Sequence, residues 1–455
     1  MQNIFPMQRG HRRAARPGRT ILLGFLFVIL FGACLLHLPI AARDHGATAF
    51  VDCLFTATSA TCVTGLVVVD TWQHWTVFGQ IVVLCLIQIG GLGVMSVTAL
   101  VSFFMGRTIT MRERLEMSAS LSLDDISGIV RLMREVMLFT AAIELAGTAL
   151  LSIRFIPQFG IAEGLWKAFF HAVSAFCNAG FDLMGQREAF SNLSDYAQDP
   201  LVNLVIIALI VMGGLGFLVW RDLHANRKWN RLSVHTRLVL IMTALLLIGG
   251  TLVIFILEYS NPQTLGNMPV GHRVLASLFQ ATTCRTAGFN TIDQGALRSG
   301  TAVVCILLMF VGGSSGSTAG GIKTTSVAVL ILAAWSVLRS RRDITVFHRR
   351  IEERLVLQAV ALVMAALSLI LMGSFILYTA DNVSVGRALY ETVSAFSTTG
   401  LSENLTPTLG VVSKCWLILE MYLGRIGILT LGAAVFTRRI FEPKIRYPES
   451  KVIVG

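Results

Sequence analysis

Four short segments share one pattern, in which a Ser or Thr stands six residues before a glycine that Leu or Phe follows. The segments read SATCVTGL (59–66), SAFCNAGF (174–181), TTCRTAGF (282–289) and SAFSTTGL (394–401). Their glycines recur about every 110 residues, so one unit repeated four times spans nearly the whole sequence. A glycine lets the backbone turn carbonyl oxygens toward one side, and oxygens so arranged can replace the hydration shell of a cation.

The four-residue stretches that end with these glycines are candidate walls of one cation filter. If each follows a short helix that points its partly negative C-terminal end at a common centre, four such ends favour a cation there. The predicted filter residues are Cys62, Val63, Thr64, Gly65, Cys177, Asn178, Ala179, Gly180, Arg285, Thr286, Ala287, Gly288, Ser397, Thr398, Thr399 and Gly400. A glycine that merely ends a helix would explain one copy, whereas four copies at one spacing favour the filter.

Composition indicates the environment of these units. Hydrophobic residues make up 54% of the chain and charged residues 14%, which is typical of a membrane protein with several spans. The eight cysteines show no CxxC pair or metal-ligand spacing, so we interpret them as small core residues.

Each unit is predicted to contain an ingoing helix, a short pore helix that re-enters the membrane with its loop, and an outgoing helix. The short segment before each filter motif, such as residues 47–60, is too short to span a bilayer. The predicted divisions are a cytoplasmic tail (1–19), pore units 1 (20–106), 2 (130–222), 3 (236–340) and 4 (354–437), and a second cytoplasmic tail (438–455).

The distribution of positive charge gives the orientation. Most of the 37 Lys and Arg residues fall in the two tails and in the connections between units, which all face one side under this scheme. That bias predicts cytoplasmic termini. The formal net charge of +11 is therefore a signal of topology and does not indicate a nucleic-acid partner.

Residues 312–321 (GGSSGSTAGG) interrupt the third outgoing helix with five glycines. Each glycine costs a helix about 1 kcal/mol relative to Ala, and irregular backbone at membrane depth must be covered by protein or line a cavity. The segment is a candidate gate, formed by Gly312, Gly313, Ser314, Ser315, Gly316, Ser317, Thr318, Gly320 and Gly321. The corresponding stretches 90–93, 213–216 and 424–427 are less rich in glycine, so we expect only the third unit to break.

Two enzyme interpretations of the same segment are weaker. Residues 312–316 match GxSxG, but no histidine falls at mid-membrane depth in a predicted span to act as a base. Residues 316–324 nearly match a phosphate-binding loop, but Ile322 separates Gly321 from Lys323 and no soluble strand precedes them.

Arg425 is a charged residue within the fourth predicted outgoing helix. A guanidinium there costs about 2.5–3.5 kcal/mol on insertion scales, so it should face the bundle interior and have a partner. Our hypothesis is that Arg425 completes the gate by binding the 312–321 segment when the pore is closed. The alternatives are a pair with Glu420 and a side chain that reaches toward the interface. Glu144 is expected to be a helix-packing contact.

The layout resembles the Trk/Ktr/HKT superfamily of potassium transporters, on the four filter glycines and the glycine-rich break in the third outgoing helix. The resemblance implies an all-α membrane protein whose four helix–pore-loop–helix units surround one pore with pseudo-fourfold symmetry. It further implies that potassium passes inward, that glycine at all four positions is the potassium-selective pattern, and that no organic cofactor takes part. Whether sodium assists stays open, as does a related subunit of an ATP-driven pump.

The resemblance is strongest to the membrane subunit of Ktr systems, because one hydrophobic segment precedes the first pore loop. It implies a homodimer in the lipid of the bacterial inner membrane and a cytosolic ring of nucleotide-binding (KtrA-like) regulatory subunits. The third motif departs from the others: Phe279 is one residue closer to its glycine than Phe55 or Phe170. The register of that wall can therefore differ.

Overall fold

The computed structural model describes residues 17–44, 46–93, 129–341 and 343–427, which are mostly helical. The helices, in chain order, are α1 (Pro17–Leu36), α2 (Phe50–Thr61), α3 (Thr71–His74), α4 (Val77–Leu92), α5 (Ile129–Phe159), α6 (Ile161–Cys177), α7 (Pro200–Leu215), α8 (Phe217–Ala225), α9 (Val234–Glu258), α10 (Val270–Thr283), α11 (Ser299–Phe310), α12 (Thr324–Leu338), α13 (Glu353–Asp381), α14 (Val385–Ser397) and α15 (Val411–Ile426). Short 3-10 turns at Ser194–Tyr196, Trp229–Arg231, Gln294–Ala296 and Thr406–Thr408 lie in the connections, as does an antiparallel pair, β1 (Thr345–Val346) with β2 (Arg349–Arg350).

The predicted triplet of helices is present in all four units. The ingoing helices are α1, α5, α9 and α13, and by length and composition all four can cross a membrane. The pore helices α2, α6, α10 and α14 have 12 to 17 residues, and the outgoing helices begin with α4, α7, α11 and α15. The unit boundaries stay predictions. Both predicted tails and the predicted continuations of the first and fourth outgoing helices lie mainly outside the described residues.

Contacts between units close the four into a ring. The outgoing helix of each unit packs against the pore helix of the next: α4 against α6, α7 against α10, α11 against α14, and α15 back against α2. This cyclic order gives the fold its pseudo-fourfold arrangement, because every unit makes the same contact with its successor.

Burial follows the distance from the centre of the ring. The C-terminal halves of the pore helices, such as residues 55–61 and 171–177, are entirely buried. On the ingoing helices, Phe27, Ile248 and Leu371 are each more than 60% exposed. Apolar side chains on the periphery and buried polar loops at the centre are what a bilayer requires, since lipid accepts the former and cannot satisfy the latter.

The expectation that only the third outgoing helix breaks is wrong. The second bends by 91° between α7 and α8, at Gly216, which has a φ of 95°. Helices α4 and α15 likewise end at Gly93 and Gly427, with φ of 85° and 88°. The third unit differs in degree, since its backbone leaves the helix over residues 311–323 before α12 begins. We call residues 311–323 the crossing loop.

Candidate ion pathway

Gly65, Gly180, Gly288 and Gly400, which we call the glycine ring, approach one another around a common centre. A β-carbon added at Gly65 would lie 2.5 Å from the carbonyl oxygen of Ala179 in the next wall. In order around the ring, the same relation joins Gly180 to Ala287, Gly288 to Thr399, and Gly400 to Thr64. The four walls therefore surround one narrow passage, and no side chain fits at the glycines.

The backbone of each wall alternates between left-handed and ordinary conformations. Two residues before each glycine stands a residue with positive φ, namely Val63 (58°), Asn178 (62°), Thr286 (64°) and Thr398 (53°). The next residue has negative φ, and the glycine is positive again. Non-glycine residues with positive φ are uncommon and cost energy, so their presence in all four walls indicates a conformation imposed by the surroundings. Repeated reversals of this kind can bring successive carbonyl groups to one side of the chain.

In the first, second and fourth walls, the Ser that precedes the glycine by six residues holds the wall against the pore helix. The backbone N–H of Thr64 donates to the Ser59 carbonyl at 2.7 Å, and Ser59 Oγ accepts from the Gly65 N–H at 3.1 Å. Ser394 makes the same two bonds with Thr399 and Gly400. The spacing that these copies share is thus the spacing that returns the loop N–H groups to the end of the helix.

The third wall is anchored from a residue that stands one position closer to its glycine. Its Ala287 N–H donates to the Thr283 carbonyl at 3.0 Å, and Thr283 Oγ1 donates to the Phe289 carbonyl at 2.7 Å. Thr283, not Thr282, therefore takes the place of Ser59, which corrects the alignment of the motif. Arg285 is 6% exposed, and its Nε has no hydrogen-bond partner within the described ranges.

The crossing loop is fastened on one side to the second unit. Ser314 N–H donates to the Gly214 carbonyl at 3.1 Å, and the Phe217 N–H donates to the Gly316 carbonyl at 2.9 Å. Thr318 Oγ1 donates to the carbonyl of Phe176, at the base of the second wall, at 3.2 Å. The bend at Gly216 thereby receives the loop, because it frees carbonyl and N–H groups that a continuous helix would have used.

On its other side the crossing loop lies against the fourth wall. A β-carbon at Gly320 would collide with the side chain of Thr398, and one at Gly321 would lie 3.0 Å from Ser397 Cα. The loop also closes on itself, since Gly312 N–H donates to the Ile322 carbonyl at 2.9 Å. It thus runs beneath the glycine ring from the base of the second wall to the base of the fourth.

Arg425 joins this loop to the first unit. Its guanidinium donates to the carbonyl oxygens of Thr318 and Gly90, with that of Gly91 at 3.4 Å. Glu420, the alternative partner, instead accepts from Trp416 Nε1 at 2.9 Å. Arg425 therefore lies at the contact predicted for a latch on the 312–321 segment.

Other predicted residues have clear positions. Glu144 on α5 accepts from Gln88 Nε2 on α4 at 3.3 Å, so it joins two helices as expected. Ser314 Oγ is 3.2 Å from Thr324 Oγ1, a group that cannot serve as the base of a serine hydrolase.

A cavity of about 730 Å³ lies on the side of the glycine ring opposite the crossing loop. The four ring glycines form its floor, and the connections between each filter motif and the outgoing helix that follows it line its walls. Asp70 and Asp182 face it, as do Asp195 and Asp293. Burial is the main cause that raises the pKa of Asp182 to about 7, and the neighbouring Asp70 contributes to that increase. Sequence reasoning missed Asp182, although it stands two residues after Gly180 in the second motif.

Comparison with known proteins agrees with this architecture. Residues 33–444 match the TrkH family model, described as "Cation transport protein". The Ktr system potassium uptake protein B of Bacillus subtilis is 42% identical over 96% of this chain and 97% of its own length. The potassium/sodium uptake protein NtpJ of Enterococcus hirae is 37% identical over 99% of both chains.

Among solved structures, the potassium transporter TrkH from Vibrio parahaemolyticus has the same fold. It superposes with a TM-score of 0.71 over 94% of this chain and 86% of that one, at 18% sequence identity. The relatives of the present chain are transport proteins and not enzymes. Its long apolar ingoing helices make it a membrane protein with several spans. The chain belongs to the TrkH family of cation transport proteins.

Proposed function

We propose that the chain is the ion-translocating subunit of a potassium uptake system. The observation that carries this proposal is the closed ring of four close-packed glycines, each against a carbonyl oxygen of the next wall. Carbonyl oxygens arranged around a narrow passage replace the water that a potassium ion loses on entry. The relatives named for potassium uptake, at 42% and 37% identity over nearly the full length, support the same ion.

The filter in this proposal consists of the sixteen predicted wall residues, and the gate consists of the crossing loop with Arg425. The loop obstructs the passage below the ring, and the guanidinium places a positive charge beside it. A cation can pass only when the loop moves, because the loop contacts opposite walls of one pore. NtpJ is named for potassium and sodium, which supports a role for sodium in the cycle.

Partners and location follow the relatives. The Bacillus subtilis relative is named as protein B of a Ktr system, which supports a multi-subunit assembly in which this chain is the membrane part. We propose a homodimer in the bacterial inner membrane, with both termini in the cytoplasm and a ring of nucleotide-binding subunits on that side.

Transport by the purified chain tests the proposal. Proteoliposomes with high internal potassium, no ATP and an outward potassium gradient should accumulate radioactive rubidium, and valinomycin gives the maximum accumulation. Uptake equal to that of empty vesicles would contradict the proposal, and uptake that requires ATP and an ATPase partner would favour the pump subunit. Growth of potassium-uptake-deficient cells on low potassium, with and without sodium, determines whether sodium is needed.

A further inference from the structure

A second positively charged side chain binds the crossing loop. Lys323, the last residue before α12, donates from Nζ to the carbonyl oxygen of Ala319 at 2.7 Å. Arg425 donates to the carbonyl of Thr318, the residue immediately before. Two cationic groups from different units of the sequence therefore bind consecutive carbonyl groups of one loop.

These carbonyl groups lie between opposite walls of the pore. Thr318 contacts the base of the second wall through the carbonyl of Phe176, and Gly320 lies against Thr398 in the fourth wall. The second and fourth units face each other across the ring, since the units contact one another in the order 1, 2, 3, 4. Ala319, between Thr318 and Gly320, is thus placed at the middle of the crossing, below the glycine ring.

Both cations donate to backbone carbonyl oxygens. The ion pairs between described residues involve neither Lys323 nor Arg425. An ammonium group carries the same single charge as a potassium ion and binds carbonyl oxygens as that ion does. The Lys323 ammonium therefore binds a carbonyl oxygen that a potassium ion could bind after it passes the glycine ring.

We propose that Lys323 is a second gating cation, whose ammonium binds the loop carbonyl that an inward-moving potassium ion would meet and whose charge opposes conduction while the loop crosses the pore. This inference rests on the proposed function. It assigns to Lys323 a role that depends on its positive charge. The alternative is that Lys323 only holds the shape of the loop through its hydrogen bond. A variant that keeps the hydrogen-bond donor but loses the charge separates these two roles.

Three substitutions separate charge from hydrogen bonding. Lys323→Arg keeps the charge and a donor, Lys323→Gln keeps only a donor, and Lys323→Met keeps neither. Lys228→Gln is the matched control, because Lys228 is exposed in the connection before α9 and its loss removes one positive charge away from the loop. Each variant is purified and reconstituted at equal protein content, and rubidium uptake is measured in the absence of any regulatory subunit.

Both neutral variants should raise basal uptake at least tenfold, because one charge within about 12 Å of the ion path changes the barrier by that factor or more at an effective dielectric constant of about 20. Lys323→Arg and Lys228→Gln should match the unsubstituted chain. If Lys323→Gln matches it and only Lys323→Met is altered, Lys323 shapes the loop and the proposal is wrong. Unaltered uptake in all variants also overturns it. If the unsubstituted chain and every variant take up no more than empty vesicles, the proposed function itself fails.

Discussion

The glycine ring shows how a single atom can determine whether this pathway forms. At Gly288 a β-carbon would lie 2.6 Å from the Thr399 carbonyl oxygen, and φ there is 78°. Alanine in left-handed backbone costs about 1–2 kcal/mol even without a collision. We expect Gly288→Ala to reduce rubidium uptake at least tenfold, or to abolish the selectivity of transport for rubidium over sodium. Uptake of both ions into proteoliposomes measures these effects.

Gly249 is the matched control for this substitution. It lies in α9 with no atom within 4 Å of an added β-carbon, so Gly249→Ala should leave transport unchanged and stabilise the helix by up to about 1 kcal/mol. Equal uptake by both variants would show that the ring glycines are not required for conduction.

Asp182 provides a prediction about external pH. Its pKa of about 7, raised mainly by burial, means that the carboxyl group is neutral below that pH and negative above it. Asp70 raises this pKa and Lys167 lowers it. Because Asp182 faces the outer cavity, its deprotonation should attract cations toward the ring. Apparent affinity for rubidium should therefore rise roughly two- to fivefold between external pH 6 and 8.

Substitution isolates the contribution of this carboxyl group. Asp182→Asn should show the low affinity at every pH, whereas Asp44→Asn, at an exposed residue outside the cavity, should keep the pH dependence. A persistent pH dependence in Asp182→Asn would assign the titration to another group.

Among the helices, the ingoing and outgoing ones have different tasks. Ingoing helices are long and present apolar residues to lipid, while the outgoing helices reach the bases of the pore helices through glycines. Gly90 lies against the Thr61 carbonyl, Gly213 against that of Phe176, and Gly424 against that of Phe396. These contacts bring helix backbones together at the ends of three pore helices, α2, α6 and α14, which fixes the position of the wall above each of them.

Removing one of these close contacts should destabilise the bundle. Gly424→Ala would place a methyl group against the Phe396 carbonyl, and such overpacking typically costs 1–3 kcal/mol. Gly271→Ala, near the start of α10 with no atom within 4 Å, should be close to neutral. Thermal unfolding of the purified variants in detergent compares them, and an unchanged midpoint for Gly424→Ala would show that the helix moves to accommodate the methyl group.

The sequence predicted the helices and the ring better than the breaks. The four filter motifs could be recognised from their spacing, because the Ser or Thr at the end of each pore helix must lie close enough in sequence to bond the loop that follows. The bend at Gly216 was missed, since its cause is a tertiary contact with the crossing loop that no local pattern contains. For the same reason the motif alone did not show that Thr283 replaces Thr282, although the position of Phe279, one residue closer to its glycine, indicated a different register.

For the molecule as a whole, the geometry is that of a cavity and a loop on opposite sides of one ring. Orientation then determines which of them an external ion meets first. The positive charge of the connections between units predicts that the crossing loop is nearer the cytoplasm and the acidic cavity faces outward. The first and fourth units are also joined by an ion pair, in which Lys414 Nζ lies 2.7 Å from Asp52 Oδ1.

Cysteine labelling on intact cells tests this orientation. Glu188→Cys, at an exposed position that lines the cavity, should react with a membrane-impermeant maleimide from outside. Lys228→Cys, exposed in the connection before α9, should react only after lysis. The interpretation of all eight cysteines as core residues is wrong for Cys34, Cys85 and Cys415, which are exposed, so the unsubstituted chain is the control for their labelling. The reverse pattern would turn the cavity toward the cytoplasm, and potassium moving inward would then meet the loop before the ring.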